Sequence, residues 1–237
     1  MSKSRGNTIS PDDYIKEHGS DVFRMYLAFG FAYTEGGPWS DDGIKAISRF
    51  VGRVERLIEN TLSLDKSKKG SFGDAEKELD YVRNLAIKGV TEDAEKFQFN
   101  TSIARIMELV NALYKYDTVE NKNVPFYMDT VTDFLTLLAP FAPHLSEELW
   151  ERMGMPYSIF NRKWPEWDEK ALVRDETEIV IQLNGKIKEK IIVPSGMDRE
   201  KTIDAAMKNE KVQALLAGRS AVKVIAVPGK LVNIVVK

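Results

Sequence analysis

The stretch EIVIQLNGKIKEKIIVP, residues 178–194, decides the fold class because the spacing of apolar residues changes there. On both sides of Asn184-Gly185 the helical spacing of apolar residues gives way to a period of two. This dipeptide between two alternating runs is the strongest short signal for two antiparallel strands joined by a two-residue turn. Upstream of residue 178 the apolar residues recur at helical spacing instead. The sequence therefore predicts an α+β chain that is mainly α.

The residues that follow the hairpin complete a small ββαββ module. A helical stretch covers 198–216 and is interrupted at Asn209, whose side chain is suited to cap the next helix. Two further apolar runs, VKVIAV and KLVNIVVK, flank Pro228-Gly229 and are predicted to be strands. Together with the charged, aromatic segment before the hairpin, we predict a C-terminal α/β domain over residues 166–237.

Residues 39–165 are predicted to form an antiparallel helical bundle, because stripes of apolar residues recur there at helical spacing. Residues 1–38 are predicted to be a loop and a helix capped by Ser20 or Asp21. In the bundle, a second long helix ends near Phe97. The other predicted starts are Ser40 for the first helix, Asn100 or Thr101 for the third, Pro125 for the fourth and the vicinity of His144 for the fifth.

Composition limits the kinds of site that the chain can carry. The sequence has no cysteine and two histidines far apart, which excludes disulfides, thiolate metal sites and a multi-histidine metal site. No apolar run is long enough for a membrane span or a signal peptide, so we expect a cytoplasmic protein without a membrane partner. We predict no metal site.

Charge is distributed unevenly along the chain. The formal net charge is −2, but residues 179–237 carry eleven Lys and Arg against five Asp and Glu, a local balance of +6. In the hairpin, Lys186, Lys188 and Lys190 are predicted to share one face of a strand, with Ile187 and Ile191 on the other. A solvated face and a phosphate-contacting face both fit this pattern, and the local positive charge favours contact with RNA.

The first seven residues, MSKSRGN, have the composition of a phosphate-binding loop. Serines and a glycine supply hydroxyl and N–H donors, and a lysine adds a mobile positive charge. A solvated N-terminus is the alternative interpretation. Composition alone does not separate the two.

Several motifs resemble one enzyme family. MSKSRGN is similar to the KMSKS signature of class I aminoacyl-tRNA synthetases, without its leading lysine. LAPFAPHLSEELW (138–150) resembles the corner in the bundles of the leucyl, isoleucyl, valyl and methionyl enzymes. PWSDDGI (38–44), FNTSIARIMELVN (99–111), the hairpin and VPGKLVNIVVK (227–237) resemble bacterial-type leucyl-tRNA synthetases. The resemblance covers nearly the whole chain, except 66–80.

This resemblance implies a C-terminal fragment of such a synthetase, with a bundle of the class Ia anticodon-binding type. The full enzyme would attach leucine to tRNA(Leu) through leucyl-adenylate, as an ATP-dependent ligase that uses ATP and Mg²⁺. Met1, Ser2, Lys3 and Ser4 would belong to its ATP loop, with Lys3 stabilising the transferred phosphates. We expect the fragment to be monomeric, to need no cofactor, to be inactive without the catalytic domain that binds ATP and leucine, and to dock tRNA. The candidate tRNA contacts are Lys186, Lys188, Lys190, Arg219, Lys223 and Lys230.

Two alternatives stay open at this point. One is the corresponding part of a valyl, isoleucyl or methionyl synthetase, whose C-terminal ends differ from the ββαββ module. The other is a helical interaction scaffold, which would show an exposed apolar patch in place of a basic face and no affinity for RNA. The presence of the ββαββ module in a structure would separate the leucyl enzyme from the first alternative. A measurement of RNA binding would separate it from the second.

Overall fold

The computed structural model describes residue 4 and residues 8–65, 67–173, 176–216 and 219–236. The chain divides into two compact units, Met1–Leu172 and Val173–Lys237. The first is helical and the second combines strands with helices, so the predicted class, α+β and mainly α, is confirmed. In the first unit, the part before residue 39 is not separated from the bundle.

The first unit is built from antiparallel helices around one apolar core. Residues such as Val54, Ile106, Leu113 and Phe134 are fully buried there because each lies on the apolar stripe of its helix. The helices are α1 (Pro11–His18), α2 (Ser20–Gly30), α3 (Asp41–Leu62), α4 (Asp74–Glu95), α5 (Phe99–Asp117), α6 (Val124–Leu138) and α7 (Pro143–Arg152), followed by a 3₁₀ turn at Ile159–Asn161.

Helix capping agrees with the sequence at some ends and differs at others. The Ser40 side chain caps α3 by accepting from the N–H of Gly43, as predicted. The prediction of Ser20 or Asp21 as a cap for α2 is wrong, because Gly19 occupies that position with φ 88°. Only a residue that tolerates positive φ makes this sharp link between α1 and α2. Helix α5 starts at Phe99, before the predicted Asn100 or Thr101, and has no side-chain cap.

Asp21 instead caps a different helix. Asp21 is 8% exposed, and its carboxylate accepts from the backbone N–H of Leu145 at 2.7 Å, in the first turn of α7. The other carboxylate oxygen lies 2.9 Å from His144 Nδ1. Since the residue before α7 is Ala142, which offers no side-chain acceptor, the cap is supplied through space from α2. Asp21 therefore joins α2 to the α6–α7 corner.

A strap of residues 162–169 lies along α4 and is attached by polar side chains. Trp164 Nε1 donates to Thr91 Oγ1 at 2.8 Å, and the N–H of Asp168 donates to Asn84 Oδ1 at 2.7 Å. These contacts group the chain as far as Leu172 with the bundle, seven residues beyond the predicted boundary at 165. Sequence alone shows the polar and aromatic residues of the strap but not what they bond.

The second unit contains the predicted ββαββ order. A four-stranded sheet has strand order β2-β1-β4-β3, with β1 and β4 parallel and both outer pairs antiparallel. The helical stretch is split at Asn209, whose side chain accepts from the N–H of Lys211, as predicted. The elements are β1 (Glu176–Leu183), β2 (Lys186–Pro194), α8 (Arg199–Lys208), α9 (Glu210–Leu216), β3 (Ala221–Val227) and β4 (Leu231–Val236).

The hairpin turn is where the sequence places it. Asn184 and Gly185 have φ values of 50° and 80°, the left-handed conformation that a two-residue turn of this type requires. The Asn184 side chain accepts from the N–H of Val236, and the N–H of Gly185 donates to the Asn233 side chain. The turn is thus held against the end of β4.

Within the described ranges, no helix combines the length and apolar character needed to cross a membrane.

Candidate nucleic-acid interface

The residues of the predicted ATP loop are largely outside the described part of the chain. Met1, Ser2 and Lys3 are not described, whereas Ser4 is described and its side chain is exposed. The assignment of Lys3 to phosphate stabilisation therefore stays a prediction.

The three hairpin lysines do not share one face, and the prediction that they do is wrong. The pairing register of β1 and β2 shifts between Ile181 and Gln182, because Lys188 is the extra residue of a β-bulge in β2. On the two sides of this bulge, Lys190 pairs with Val180 and Lys186 pairs with Leu183. Cross-strand partners point to the same side of a sheet, and Val180 and Leu183 lie on opposite faces of β1. Lys186 and Lys190 therefore also lie on opposite faces.

The same bulge changes the environment of the hairpin isoleucines. Ile191 is buried in the core that also contains residues of α8 and α9, but Ile187 is 66% exposed, so the prediction that the two share one face is wrong. Simple alternation places Ile187 and Ile191 on the same face of β2. The extra residue between them, Lys188, turns Ile187 to the opposite face. A bulge is a feature of backbone pairing, so alternation in a single strand does not reveal it.

The six candidate basic residues are distributed over both ends of the sheet. Arg219 precedes Ala221, which pairs with Val236 beside the hairpin turn, so Arg219 lies at the same end as Lys186. Lys230 precedes Leu231, whose partner on β1 is Val180, and it lies towards the other end. The structure does not gather these side chains into a single cluster.

Two of these basic residues already have partners within the chain. The Lys190 ammonium lies 2.8 Å from Glu178 Oε1, and both side chains are more than half exposed. The Arg219 guanidinium donates to the carbonyls of Leu215 and Leu216 at 3.1 and 3.2 Å, in the last turn of α9. Arg219 therefore stabilises a helix C-terminus, whereas an exposed pair such as Lys190–Glu178 is easily exchanged for a phosphate.

Glu189 and Lys211 form a further ion pair beside the bulge. The N–H of Lys190 donates to the Glu189 carboxylate, and the Lys211 ammonium lies 3.4 Å from the same group. The hydrogen bond from the N–H of Lys190 and, after it, the Lys211 contact hold the pKa of Glu189 below its usual value. The one acidic residue in β2 is thereby neutralised by α9, so the exposed charge of this strand is positive.

The face of the sheet opposite α8 and α9 is apolar, and the sequence reasoning missed it. Lys190 on β2 and Lys223 on β3 border this open face at its two edge strands. The sequence does contain a signal for this second apolar face. In IVIQL, VKVIAV and LVNIVV, apolar residues occupy both odd and even positions, which is typical of strands with two apolar faces. The apolar residues of the open face are Val180, Ile187, Ile192, Ile225, Val227, Leu231 and Val235.

Two arginines of α3, Arg49 and Arg53, differ in their contacts. Arg53 donates to Asn111 Oδ1 at 2.8 Å and lies 5.2 Å from the ring centroid of Tyr114, both on α5. Arg49 is exposed on the same helix. Arg53 therefore joins two helices, and its guanidinium is less available to a ligand than that of Arg49.

The polar residues of the α6–α7 corner have structural roles. Both the Ser20 hydroxyl, at 3.4 Å, and the Asp21 carboxylate, at 2.9 Å, approach the same nitrogen of His144. A charge relay needs the two partners on different ring nitrogens, so this group is not a nucleophilic triad. Glu147 accepts from the hydroxyl of Ser158 and the N–H of Ile159, which attaches the 3₁₀ turn to α7.

The four tryptophans anchor the chain to itself. Each indole N–H donates to an acceptor in the same unit, so these rings are held by the fold. The pairs are Trp39 with Asp41, Trp150 with the carbonyl of Pro156, Trp164 with Thr91 and Trp167 with Glu169.

Comparison with known proteins gives consistent results. Curated leucine–tRNA ligases of Caldanaerobacter subterraneus subsp. tengcongensis and Clostridium perfringens strain SM101 are 62% and 59% identical over the full length of this chain. The chain spans 29% of the length of each and matches their C-terminal region. Among solved structures, the ternary complex of Agrobacterium radiobacter K84 agnB2 LeuRS with tRNA and LeuAMS superimposes with a TM-score of 0.75 at 30% identity. That match covers 100% of this chain and 31% of the other.

A family match identifies the domain. Residues 76–203, more than half of the chain, match the family described as the anticodon-binding domain of tRNA ligase. The match runs from α4 through the hairpin into α8, so it includes parts of both units. With the helical bundle, the ββαββ module and the full-length similarity to leucine–tRNA ligases, this places the chain in the tRNA ligase family that carries the anticodon-binding domain.

Proposed function

We propose that this chain is the tRNA-docking part of a leucine–tRNA ligase whose whole protein attaches leucine to tRNA(Leu) through leucyl-adenylate, with ATP and Mg²⁺. The observation that carries the proposal is the similarity to leucine–tRNA ligases over the full chain, at 54–62% identity. The ββαββ module favours the leucyl enzyme over the valyl, isoleucyl and methionyl enzymes. Docking through phosphate and shape is proposed here, without reading of individual bases.

Within the whole ligase, the proposed role of Lys3 is to stabilise the transferred phosphates during adenylate formation. A lysine on an adaptable loop can follow a phosphate as charge develops on the leaving pyrophosphate. Met1, Ser2 and Ser4 would supply the surrounding loop. No step of the reaction is assigned to the bundle or to the ββαββ module.

We expect the purified 237-residue chain to show no leucine-dependent exchange between ATP and pyrophosphate. The chain spans 29% of the length of its relatives, and the resemblance implies that the domain that binds ATP and leucine is not part of it. The measurement is exchange of labelled pyrophosphate, with an intact leucine–tRNA ligase as the positive control. Exchange above background would show that this chain activates leucine by itself.

We expect the chain to bind tRNA with an affinity that falls steeply with salt. Two or three phosphate contacts predict a rise in Kd of about 10- to 40-fold between 50 and 200 mM salt. The measurement is a titration against tRNA(Leu) and an unrelated tRNA at several salt concentrations. Absence of binding at 50 mM salt would favour the interaction-scaffold alternative.

Paired lysine substitutions are expected to locate the contact. Because the bulge separates the hairpin lysines, we compare Lys186→Ala/Lys188→Ala at the hairpin end with Lys190→Ala/Lys223→Ala at the edges of the open face. If either pair of lysines makes two phosphate contacts, its loss is expected to raise the Kd for tRNA about 10-fold in 100 mM salt. The slope of log Kd against log salt concentration is expected to fall by about 2.

The matched control removes the same charge elsewhere in the unit. Lys201 and Lys208 are exposed on α8 and pair with Asp198 and Asp204. Lys201→Ala/Lys208→Ala is expected to change Kd less than 3-fold. If both test pairs behave like this control, the assignment of tRNA contacts to these lysines is wrong.

A further inference from the structure

An apolar pocket lies in the helical unit, among α2, α4, the start of α5, the α6–α7 corner and the strap. Its volume is about 420 Å³, within the range of pockets that hold small molecules. Its walls are mostly aliphatic and aromatic side chains. They include Leu27, Val90, Phe99, Phe141 and Trp164.

Among the described residues that line the pocket, Arg24 carries the one charged side chain. Its Nη2 donates to the carbonyl of Pro140 at 3.1 Å, which holds the guanidinium at the wall. Among the described residues, no carboxylate lies within ion-pair distance of Arg24. A guanidinium with free donors beside an apolar surface is complementary to a carboxylate attached to an apolar body.

Aromatic rings lead from the surface into this pocket. Tyr33 is 67% exposed and Phe97 is 57% exposed, and their rings stack with centroids 5.6 Å apart. The ring centroid of Phe99 lies 5.4 Å from that of Tyr33 and 6.1 Å from that of Phe141. Large exposed aromatic side chains at the mouth of a pocket are typical of a binding surface.

Phe97 is held in an unfavourable backbone conformation at this mouth. Its φ is 58°, in the left-handed region that bulky side chains rarely adopt. The position links α4 to α5, where glycine or asparagine is the usual residue. Strain of this kind is found most often at sites that bind ligands, and here it keeps the ring stacked on Tyr33.

We propose that this pocket binds a small carboxylic acid with an aryl or alkyl body. The apolar body lies against Leu27, Phe99 and Phe141, and the carboxylate accepts hydrogen bonds from Arg24. Because none of the described lining residues carries a carboxylate, an ammonium group finds no partner there, which disfavours amines and zwitterionic amino acids. The inference does not depend on the proposed docking of tRNA, whose candidate contacts belong to the other unit.

The test compares three probes of one shape on the purified chain: 4-phenylbutyrate, 4-phenylbutan-1-ol and 4-phenylbutylamine. Ligand-detected NMR titration measures each Kd. We expect the acid to bind with a Kd of about 0.1–1 mM, as is usual for ligands of this size, and at least about 10-fold more tightly than the alcohol or the amine.

Two substitutions assign that preference to Arg24. Arg24→Gln keeps a donor for the carbonyl of Pro140 but removes the charge, and it is expected to make the acid and the alcohol bind equally. Arg24→Lys is expected to retain most of the preference for the acid. Arg49→Gln, which removes an exposed arginine from α3 outside the pocket, is the matched control and is expected to change nothing.

The proposal is overturned by any of three results. The first is no binding of the acid at 10 mM, and the second is equal binding of the acid and the alcohol to the unaltered chain. The third is that Arg49→Gln loses the preference for the acid as fully as Arg24→Gln does. The first two results come from the unaltered chain, so they do not depend on how the variants fold.

Discussion

Asp133→Ala is expected to lower the free energy of unfolding of the helical unit by about 3–5 kcal/mol. Asp133 is 3% exposed on α6. One carboxylate oxygen accepts from Arg83 Nε at 2.7 Å, and the other accepts from Arg162 Nη2 at 2.6 Å. Removing the carboxylate leaves the partly buried Arg162 without a counter-charge and leaves Arg83 with only the more distant Asp80, at 4.0 Å. This costs more than the ion pairs themselves contribute.

The loss is expected to affect the strap first, because Arg162 is where the strap begins. Denaturant unfolding followed by circular dichroism measures the stability of the unit. Tryptophan fluorescence, compared with that of a Trp164→Phe variant, reports the environment of Trp164 in the strap. Asp129→Ala removes an exposed aspartate four residues earlier in the same helix and is expected to change stability by less than about 0.5 kcal/mol. A loss below about 1 kcal/mol in Asp133→Ala would mean that the two arginines find other partners.

Glu76→Ala is expected to lower the free energy of unfolding by about 2–3 kcal/mol at pH 7. Glu76 is 4% exposed. It accepts from the N–H of Gly73 at 2.8 Å and from the hydroxyl of Tyr116, which in turn accepts from the N–H of Asn123. The carboxylate thus supplies the cap of α4 and joins α4 to the end of α5.

The effect of Glu76→Ala is expected to depend on pH. Burial acts to raise the pKa of Glu76, but the hydrogen bonds from Tyr116 and from Gly73 outweigh it and hold the pKa below its usual value. A lowered pKa contributes stability that is complete above the unfolded value, about 4.3, and is lost as pH falls through the folded value. The difference between the unaltered chain and Glu76→Ala should therefore be constant near pH 7 and shrink below about pH 4.

Tyr116 is the natural second position for a double-mutant cycle. Burial, and after it the contact with Glu76, raise the pKa of Tyr116, so its hydroxyl stays protonated and donates throughout this range. Tyr116→Phe combined with Glu76→Ala should cost clearly less than the sum of the single changes. Glu92→Ala, an exposed position on α4, is the control and should be nearly neutral at every pH. Additive losses would show that the two residues act independently.

Most of the fold was predictable because it follows from local patterns. The helices of the bundle and the Asn184-Gly185 turn were located from apolar spacing and from residues with particular backbone preferences. The cap at Ser40 was located in the same way, since a cap acts within three residues. Asp21 was misassigned because its side chain caps a helix more than a hundred residues away.

The candidate interface was less predictable than the fold. The candidate basic residues are all exposed, but their arrangement depends on a bulge that shifts the register between two strands. The apolar pocket was missed entirely, because its walls come from five separate parts of the first unit. Its arginine has no unusual sequence context.

The sequence by itself determined the family, the order of elements and the positive charge of the last 59 residues, since motifs, periodicity and composition are properties of the chain alone. Only the tertiary structure decided which lysines share a face, which carboxylate holds Arg83 and Arg162, and where an apolar pocket opens beside Arg24. The physical reason is that pairing register, burial and cavity shape arise from contacts between residues that are distant in the chain. One residue more or less in a strand reverses a face without altering the composition.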